Sequence, residues 1–391
     1  MGGPLGFLVM RIIHVIESLD PKHGGPPEVA ACLAAAQAAG HQVAIASVPS
    51  ADARKLTDDV PGFDRVTRID IRAPQGPARG LFDRSPVRPL AAAMAGYDVA
   101  HFHNVWDSVL PLAAAAARLA KVPYILTPHG MLDTWSLAQH AARKKIAMAT
   151  THRALLRGAA TFHCLNEYEA RTIETLRLGP KTSIVPNGVW LERIDGAAAN
   201  SFRVAHPEFG NAPFVLFLSR LHHKKGLDYL MDAFDVVAAK RADVRLAIAG
   251  PDGGELQTLQ ERIARSPTAA RVHTLGPLYG DDKFAALAEC ACFCLPSRQE
   301  GFPMAVLEAL ASRAPVVISD QCHVDDAATS GAGFVVPLDA TRIATAISRI
   351  LDAPDGRSFF GAAGRKLIEQ KYTWPRVAEA AVAMYEGRGE R

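Results

Sequence analysis

Short apolar runs alternate with helix-like stretches along the whole chain, and this alternation constrains the fold more than any other feature. Continuous apolar runs are typical of strands that are buried on both faces of a parallel sheet. Their alternation with helices is typical of α/β folds. Thirteen strands are predicted, near Val9–Ile16, Val43–Val48, Val66–Ile71, Val99–His103, Tyr124–Thr127, Thr161–Leu165, Ser183–Val185, Val215–Leu218, Arg245–Ala249, Val272–Leu275, Cys292–Leu295, Val316–Ser319 and Phe334–Val336.

A chain of 391 residues is too long for a single hydrophobic core, so two domains are expected. The alternation pauses between Glu192 and Pro213, where the sequence is polar and Ala-rich and contains no strand signal. This stretch is therefore the predicted linker. The sequence predicts an α/β protein with two doubly wound, Rossmann-like domains, at residues 1–195 and 205–373.

Composition and charge exclude several functional classes. The net charge of +3 does not indicate a nucleic-acid partner, and no apolar run reaches the ~20 residues that span a membrane. Met1–Val9 lacks the basic region of a signal peptide, so we interpret it as a frayed tail or a misassigned start.

Cys290, Cys292 and Cys294 alternate along a strand, which is not a zinc spacing. All six cysteines are expected to be buried, reduced thiols, and the protein is expected to be cytoplasmic.

The segment Ser297–Ala314 carries the strongest chemical signal. A helix is predicted from Pro303 to about Ser312, and its apolar surface all round predicts burial. Glu308 is the only charge in that helix and requires a partner, because an isolated buried carboxylate costs several kcal/mol or more. Glu300 lies just before the helix, near its positive end.

The start of this helix is a predicted anion site. Free amides of Phe302, Met304 and Ala305 would bind a phosphate there, behind the flexible turn at Gly301. Two carboxylates on either side of an anion site suit a nucleotide-sugar, which has phosphates in the middle and hydroxyls at both ends. In the alternative interpretation Glu308 meets a buried arginine and Glu300 is solvated.

Further candidates in the second half follow predicted strands. Arg220 and Lys225 are five residues apart and could converge on one diphosphate, or could belong to a charged surface loop. A glycine-rich loop begins at Gly250 after the next strand. Leu275 ends the strand after that, where a nucleobase could lie against the backbone.

The first half also carries candidates at strand ends, where ligands bind in open α/β sheets. Gly24 and Gly25 would let the backbone approach a phosphate, or form a plain turn. They do not match Gly-x-Gly-x-x-Gly, which disfavours a dehydrogenase. His129 could place its imidazole over a ligand or be structural, and Asn187 could form a turn or direct its amide into the expected cleft.

The stretch 140–157 is predicted to be one basic amphipathic helix. It contains no acid, and its five cations are Arg143, Lys144, Lys145, Arg153 and Arg157. Such a helix can bind an anionic membrane surface. It can equally be a solvated face.

Together these motifs resemble glycosyltransferase family 4, the retaining enzymes with the GT-B fold. The resemblance covers nearly the whole chain. Its strongest part is Glu300-x7-Glu308 within Pro-Ser-x-x-Glu-Gly-Phe-Pro. The other parts are Ser219-Arg220 with Lys225-Gly226, Gly24-Gly25, Pro128-His129-Gly130 and Pro186-Asn187-Gly188.

The resemblance implies a fold and a role for each residue. Two Rossmann-like domains would face a central cleft, with the last helix (374–391) packing back on the first domain. Glu308 would hold the ribose and Glu300 the donor sugar, while His129 would touch that sugar from the other domain. The diphosphate would be bound by Arg220, Lys225, the Met304 and Ala305 amides, and the loop at Gly25.

The resemblance also implies the reaction, a retaining, metal-independent hexosyl transfer from a nucleoside-diphosphate sugar without a cofactor. The acceptor would be a saccharide or a lipid-linked, for example polyprenyl-linked, saccharide in bacterial surface polysaccharide synthesis, with peripheral attachment at the inner face of the membrane as an option. The chain departs from the family's usual pattern at two places, so the resemblance does not identify the donor. No proline precedes Lys225-Gly226, and residues 320–327 lack the glutamate that many members carry there. A nucleotide-sugar epimerase and a non-catalytic nucleotide-sugar-binding subunit remain alternatives.

Overall fold

Two parallel sheets, one in each half of the chain, organise the protein. The computed structural model describes residues 9–75, 83–196 and 201–387. The chain divides into a first unit, Met1–Asn187 with Trp374–Arg391, and a second unit, Gly188–Thr373. Residues 1–8, most of the stretch interpreted as a tail or misassigned start, lie outside the described residues.

The first unit is built on a seven-stranded sheet with the order β3-β2-β1-β4-β5-β6-β7. All of its strand pairs are parallel. The chain starts in the middle of the sheet, runs to one edge and then returns to the other side of β1. Its strands are β1 (Arg11–Ser18), β2 (Gln42–Val48), β3 (Thr67–Asp70), β4 (Val99–His103), β5 (Tyr124–Thr127), β6 (Thr161–Cys164) and β7 (Lys181–Ile184).

Helices connect these strands, as parallel pairing requires. The helix α18 (Trp374–Tyr385) follows the second unit in sequence but belongs to the first, where it packs on α1 (Gly25–Gln37). The helices of this unit are α1 (Gly25–Gln37), α2 (Ala53–Asp58), α3 (Val87–Met94), α4 (Leu110–Ala120), α5 (Thr134–Ala138), α6 (Ala141–Ala149), α7 (Arg153–Gly158), α8 (Glu167–Thr175) and α18 (Trp374–Tyr385).

The second unit repeats this plan with a six-stranded parallel sheet of order β10-β9-β8-β11-β12-β13. Its strands are β8 (Phe214–Leu218), β9 (Arg245–Ala249), β10 (Val272–Gly276), β11 (Cys292–Leu295), β12 (Val316–Ser319) and β13 (Gly333–Val336). Its helices are α9 (Leu191–Asp195), α10 (Ser201–Ala205), α11 (Leu227–Lys240), α12 (Leu256–Ala264), α13 (Gly280–Glu289), α14 (Met304–Ala311), α15 (Asp326–Thr329), α16 (Ala340–Asp352) and α17 (Gly356–Lys371).

The thirteen predicted strands are confirmed. Five strands have the predicted ends at both termini, and the others shift by one or two residues. The largest shift moves the first strand from Val9–Ile16 to Arg11–Ser18. The predicted helix at Pro303 begins at Met304, because Pro303 is extended and is the N-cap residue.

The prediction of one continuous helix at 140–157 is wrong. The helix α6 ends at Ala149, and α7 begins at Arg153 after a break in which Thr150 leaves helical geometry. The two pieces differ in environment. Leu155 and Leu156 of α7 are fully buried in the first core, whereas α6 has no buried residue. The break lets α7 turn its apolar side inward while α6 remains at the surface.

The predicted linker at Glu192–Pro213 is part of the second unit rather than a free connection. Its described residues form α9, α10 and a short 3-10 turn, and Phe202 and Phe209 are buried in that unit's core. The carboxylate of Glu289 accepts hydrogen bonds from the backbone N–H groups of Phe202 and Arg203 at 2.9 and 3.1 Å. The units therefore meet in sequence at Asn187 and Gly188, before the predicted boundary at 195.

Candidate functional site

The strand order of the second unit reverses at β8 and β11, a topological switch point that in open α/β sheets forms a crevice beyond the carboxyl ends of the strands. From β8 the chain runs outward through β9 and β10, whereas β11, β12 and β13 lie on the other side of β8. The loops that follow β8 and β11 therefore diverge. Ligands of open α/β sheets bind at this kind of topological switch point, beyond the carboxyl ends of the strands. Arg220 and Lys225 follow β8, and Glu300 follows β11.

The loop that carries Lys225 lies directly against the loop that follows β11. Lys225 ends a 3-10 turn, and Gly226 after it has a left-handed φ of 68°. A Cβ atom at Gly226 would overlap the carbonyl oxygen of Pro296. Glycine is thus required at position 226 both for its backbone conformation and for the close approach of the two loops.

Lys225 and Glu300 form an ion pair inside this crevice. The Lys225 Nζ lies 2.6 Å from Glu300 Oε1, and only 21% and 10% of the two side chains are exposed. The hydroxyl of Ser297 donates to the same carboxylate at 2.5 Å. Glu300 is therefore held in place by two donors, and the alternative in which it is solvated does not describe the structure.

Glu308 has a cationic partner as well, but not the arginine of the alternative interpretation. Its Oε1 lies 2.7 Å from Nζ of Lys283, which comes from α13. Both side chains are less than one-fifth exposed. The two carboxylates of Glu300-x7-Glu308 are thus each bound to one lysine, on either side of the start of α14.

The N-terminus of α14 lies between these two ion pairs in the sequence. No side chain caps its first turn, where Met304 and Ala305 provide the first helical amides. The turn at Gly301 and Phe302 leads into it, and Phe302 is half-buried against the core. Uncapped amides at a helix start, together with the positive end of the helix dipole, favour an anion.

Arg220 is the exposed cation of the crevice. It forms no ion pair with any residue within the described ranges. A Cβ atom at Gly253 would lie 2.8 Å from Arg220 Cγ, so the glycine-rich loop packs closely on the Arg220 stem. A Cβ atom at Gly250 would likewise overlap the carbonyl of Ser219. Leu275, half-buried, precedes Gly276, whose carbonyl accepts from the Gly250 N–H at 2.8 Å.

The first unit holds the remaining predicted residues. Gly24 caps the start of α1 with a φ of 90°, and a Cβ atom at Gly25 would meet nothing within 4 Å. Asn187 is buried at the end of the unit. His129 follows β5 in the left-handed region, with a φ of 53°, and it is half-buried.

A buried glutamate fixes the backbone beside His129. Glu169 of α8 accepts the N–H of Gly130 at 2.6 Å and the N–H of Leu165 at 2.8 Å. It therefore ties the loop after β5 to the loop after β6. Burial raises the pKa of Glu169 to about 7, and these two hydrogen bonds oppose that rise.

Comparison with known proteins identifies the family. The model of glycosyl transferases group 1 matches residues 199–367, and the model of a glycosyl transferase 4-like domain matches residues 24–188. Together the two models cover most of both units. The chain belongs to glycosyltransferase family 4.

Two curated relatives support this assignment. A GDP-mannose-dependent monoacylated alpha-(1-6)-phosphatidylinositol monomannoside mannosyltransferase of Corynebacterium glutamicum is 27% identical over 71% of this chain and 74% of its own length. An alpha-maltose-1-phosphate synthase of Mycobacterium tuberculosis is 25% identical over 84% of this chain and 93% of its own length. The prediction that the enzyme is a hexosyltransferase is confirmed.

Solved structures agree on the fold. The Anabaena protein HepE, crystallised with UDP and glucose, matches with a TM-score of 0.77 and 17% identity over 97% of this chain and 100% of its own. Sucrose-phosphate synthase of Thermosynechococcus elongatus matches with a TM-score of 0.73 and 19% identity over 96% and 98% of the two chains. The predicted GT-B fold, with two Rossmann-like domains, is confirmed.

Sequence reasoning missed several residues around the candidate site of the enzyme. Lys283 lacks a signal of its own, because it is one cation on an amphipathic helix far from Glu308 in sequence. In the first unit, His14, His101, His103 and His163 are all buried. His101 and His103 enter the sequence analysis only as part of the predicted strand Val99–His103. Polar residues inside strands that are buried on both faces are the signal that could have found the group.

All six cysteines are buried and free, as predicted. In the described part of the chain, no helix is both long enough and apolar enough to cross a bilayer.

Proposed function

We propose that this enzyme moves a hexose from a nucleoside-diphosphate sugar to a hydroxyl of a saccharide acceptor, with retention of the anomeric configuration. The observation that carries the proposal is the pair of lysine-bound carboxylates, Glu300 and Glu308, on either side of the uncapped start of α14. A nucleotide-sugar has hydroxyls at both ends and two phosphates between them. Glu308 is assigned to the ribose hydroxyls and Glu300 to hydroxyls of the transferred sugar.

The cations are assigned to the diphosphate. Negative charge grows on the leaving diphosphate as the glycosidic bond breaks, and fixed positive groups stabilise that charge. Arg220 is exposed at the crevice, and Lys225 is held beside Glu300 at 2.6 Å. The Met304 and Ala305 amides add the helix dipole. Because these groups supply the positive charge, we propose that transfer requires no divalent metal.

Retention follows if the acceptor attacks from the face that the diphosphate leaves. The departing phosphate oxygen then takes the proton of the acceptor hydroxyl, and no side-chain base is needed. A double-displacement glycosidase instead requires two opposed carboxylates about 5 Å apart. Glu300 and Glu308 are each bound to a lysine and are assigned to binding rather than to that role.

The first experiment identifies the donor. The enzyme is titrated with GDP, UDP, GDP-mannose and UDP-glucose by calorimetry, and each donor that binds is tested for transfer to saccharide acceptors. We expect at least one nucleotide-sugar to bind and its sugar to appear in a glycoside. Product NMR should show the donor's anomeric configuration. No binding across a wider nucleotide-sugar panel, or release of an isomerised free donor, would contradict the proposal.

A matched pair of variants tests the diphosphate assignment. Arg220→Met removes a cation at the crevice, and Arg342→Met removes an exposed cation at the start of α16. A charge-assisted hydrogen bond contributes about 1.5–3 kcal/mol, so Arg220→Met should weaken nucleoside-diphosphate binding about 10- to 100-fold. Arg342→Met should leave it unchanged. Addition of EDTA should leave the transfer rate unchanged, and a collapse of the rate would refute metal independence.

We further propose that the acceptor is lipid-linked and that α6 and α7 contact an anionic membrane surface. Ile146 of α6 is 64% exposed, and Arg143 and Lys145 beside it are exposed as well. An exposed apolar side chain among cations suits insertion between anionic headgroups. The curated mannosyltransferase relative of Corynebacterium glutamicum is named for a phosphatidylinositol mannoside acceptor.

Vesicle cosedimentation tests this contact. The enzyme should pellet with phosphatidylglycerol vesicles, less so as salt rises, and should not pellet with phosphatidylcholine vesicles. Ile146→Ser should reduce binding. Leu119→Ser removes a comparably exposed apolar side chain from α4 and should leave binding unchanged. Equal binding of wild type and Ile146→Ser would remove α6 from the proposal.

A further inference from the structure

Five histidines of the first unit are joined in one hydrogen-bonded group. Their rings come from β1, β4, β6 and the loop after β5, and four of them are buried. The members are His14, His101, His103, His129 and His163. Gln37 of α1, Thr127 of β5 and Tyr385 of α18 complete the group.

The contacts form one continuous path. From the Val185 carbonyl it runs through His163, Thr127 and His101 to Tyr385, with distances of 2.7, 3.0, 2.6 and 2.6 Å. From Tyr385 it runs through Gln37, His14 and His103 to His129, with distances of 2.9, 2.7, 2.9 and 3.2 Å.

The histidines of the path are neutral near pH 7. Burial lowers the pKa of His14 and of His163 to about 4 and the pKa of His129 to about 3, and it holds the pKa values of His101 and His103 well below their usual range. A neutral imidazole has one nitrogen that donates and one that accepts. The state of either nitrogen therefore fixes the state of the other.

The Val185 carbonyl sets the direction at one end. A carbonyl only accepts, so His163 donates from Nε2, and its Nδ1 must accept. Thr127 supplies that proton, and its oxygen then accepts from Nε2 of His101. The Nδ1 of His101 is left as an acceptor for the hydroxyl of Tyr385.

The direction of the path is also fixed from Tyr385 to His129. The Tyr385 oxygen accepts from Gln37 Nε2, which turns Gln37 Oε1 toward Nε2 of His14. His14 therefore donates from Nε2 and accepts at Nδ1 from Nε2 of His103. By the same step His103 accepts at Nδ1 from Nε2 of His129. The Nδ1 of His129 is left with a lone pair and no hydrogen-bond partner among the described residues.

We propose that this directional hydrogen-bond path holds His129 as the Nε2–H tautomer, so that its Nδ1 is kept as a hydrogen-bond acceptor for a hydroxyl of a ligand that binds beside the loop after β5. Gln37 and Tyr385 act as positioning residues. This inference rests on the proposed function only for the identity of the ligand. A flipped Gln37 would reverse His14, His103 and His129 together, and the Tyr385 hydroxyl prevents that flip.

The tautomer can be measured without substrate. The full-length enzyme is labelled with 15N-histidine, and two-bond 1H–15N correlation spectra distinguish protonated from unprotonated ring nitrogens. The His129 signals are assigned by their loss in His129→Asn. We expect the proton of His129 on Nε2. A proton on Nδ1 in the wild type would overturn the proposal.

Two variants separate the path from the packing around it. Gln37→Met removes the donor and the acceptor at the centre of the path, so His129 should populate both tautomers. Leu33→Ala truncates a buried side chain one turn earlier on the same helix, outside the path. It should lower the melting temperature and keep the His129 tautomer. An unchanged tautomer in Gln37→Met, or an equal change in Leu33→Ala, would overturn the path.

Contact of a ligand with Nδ1 of His129 has its own readout. Saturating the wild type with the donor found in the binding panel should shift His129 Nδ1, and the shift should be absent with the nucleoside diphosphate alone. In Gln37→Met, kcat/KM should fall in proportion to the fraction of His129 that is not Nε2–H, about two-fold at equal populations. A confirmed tautomer without a donor-dependent shift would refute contact of a ligand hydroxyl with Nδ1 and leave the path intact.

Discussion

Replacement of Gly226 by alanine tests how closely the two loops of the candidate site are built against each other. Two effects act at this position. The φ of 68° is left-handed, which costs a non-glycine residue about 1–2 kcal/mol. In addition, a Cβ atom would overlap the carbonyl oxygen of Pro296, which is backbone and cannot rotate away. One loop must therefore shift.

Gly331 allows the two effects to be separated. Its φ of 77° is also left-handed, but a Cβ atom there would meet nothing within 4 Å. Gly331→Ala should thus show the backbone cost alone. Overpacking of a close contact costs about 1–3 kcal/mol. Gly226→Ala should therefore be less stable than Gly331→Ala by about 1–3 kcal/mol, or roughly 3–9 °C in melting temperature for a unit of this size.

Ligand binding supplies the second measurement. The overlap at Pro296 should shift Lys225, the residue before Gly226, relative to Glu300, its ion-pair partner at 2.6 Å. Binding of the nucleoside diphosphate should therefore weaken in Gly226→Ala and stay unchanged in Gly331→Ala. Equal melting temperatures of the two variants, or wild-type binding by Gly226→Ala, would refute the argument that the close approach of the loops positions Lys225.

Three further predictions concern buried charges. Lys283→Met leaves the largely buried Glu308 without its cation. It should therefore lower the free energy of unfolding by about 3 kcal/mol and weaken nucleoside-diphosphate binding. Adding Glu308→Gln to the same chain should restore part of the stability, as measured by urea unfolding. Burial raises the pKa of Glu169 from 4.5 to about 7, so the folded state keeps its proton longer than the unfolded state. The stability of the wild type should consequently fall by about 3 kcal/mol relative to that of Glu169→Gln as pH rises from 4.5 to 7. An equal pH dependence of the two proteins would contradict this prediction. Arg365→Met removes hydrogen bonds of 2.6 and 2.8 Å to Asp195 and should expose α9 to proteolysis before the second unit melts.

The strands were predictable because parallel sheets bury both faces. Each strand is then a continuous apolar run, and the loops after these runs carry Arg220, Lys225 and Glu300. Strand ends therefore located the candidate site without any knowledge of strand order. The structure adds what periodicity does not contain, namely that β8 and β11 are neighbours and that Lys225 binds Glu300.

Short helices were harder to predict, because tertiary contacts stabilise them more than helix propensity does. The helices α9 and α10 have five residues each and follow no clear apolar period. Phe202 and Phe209 pack into the second core, and Glu289 binds the start of α10. The break between α6 and α7 has the same origin, because Leu155 and Leu156 must turn into the first core.

The presence of the histidine path could be inferred from the sequence, but the direction of its hydrogen bonds could not. His14, His101 and His103 interrupt strands that are otherwise apolar, and a buried polar group without a partner costs about 1–3 kcal/mol. Their presence therefore already implied partners in space. The direction of the path could not be inferred in this way. It depends on the Val185 carbonyl and on the contact of Gln37 with Tyr385, two residues 348 positions apart. If Tyr385→Phe releases Gln37 and lets His129 change its tautomer, α18 will have been shown to set the chemistry of a residue in the loop after β5.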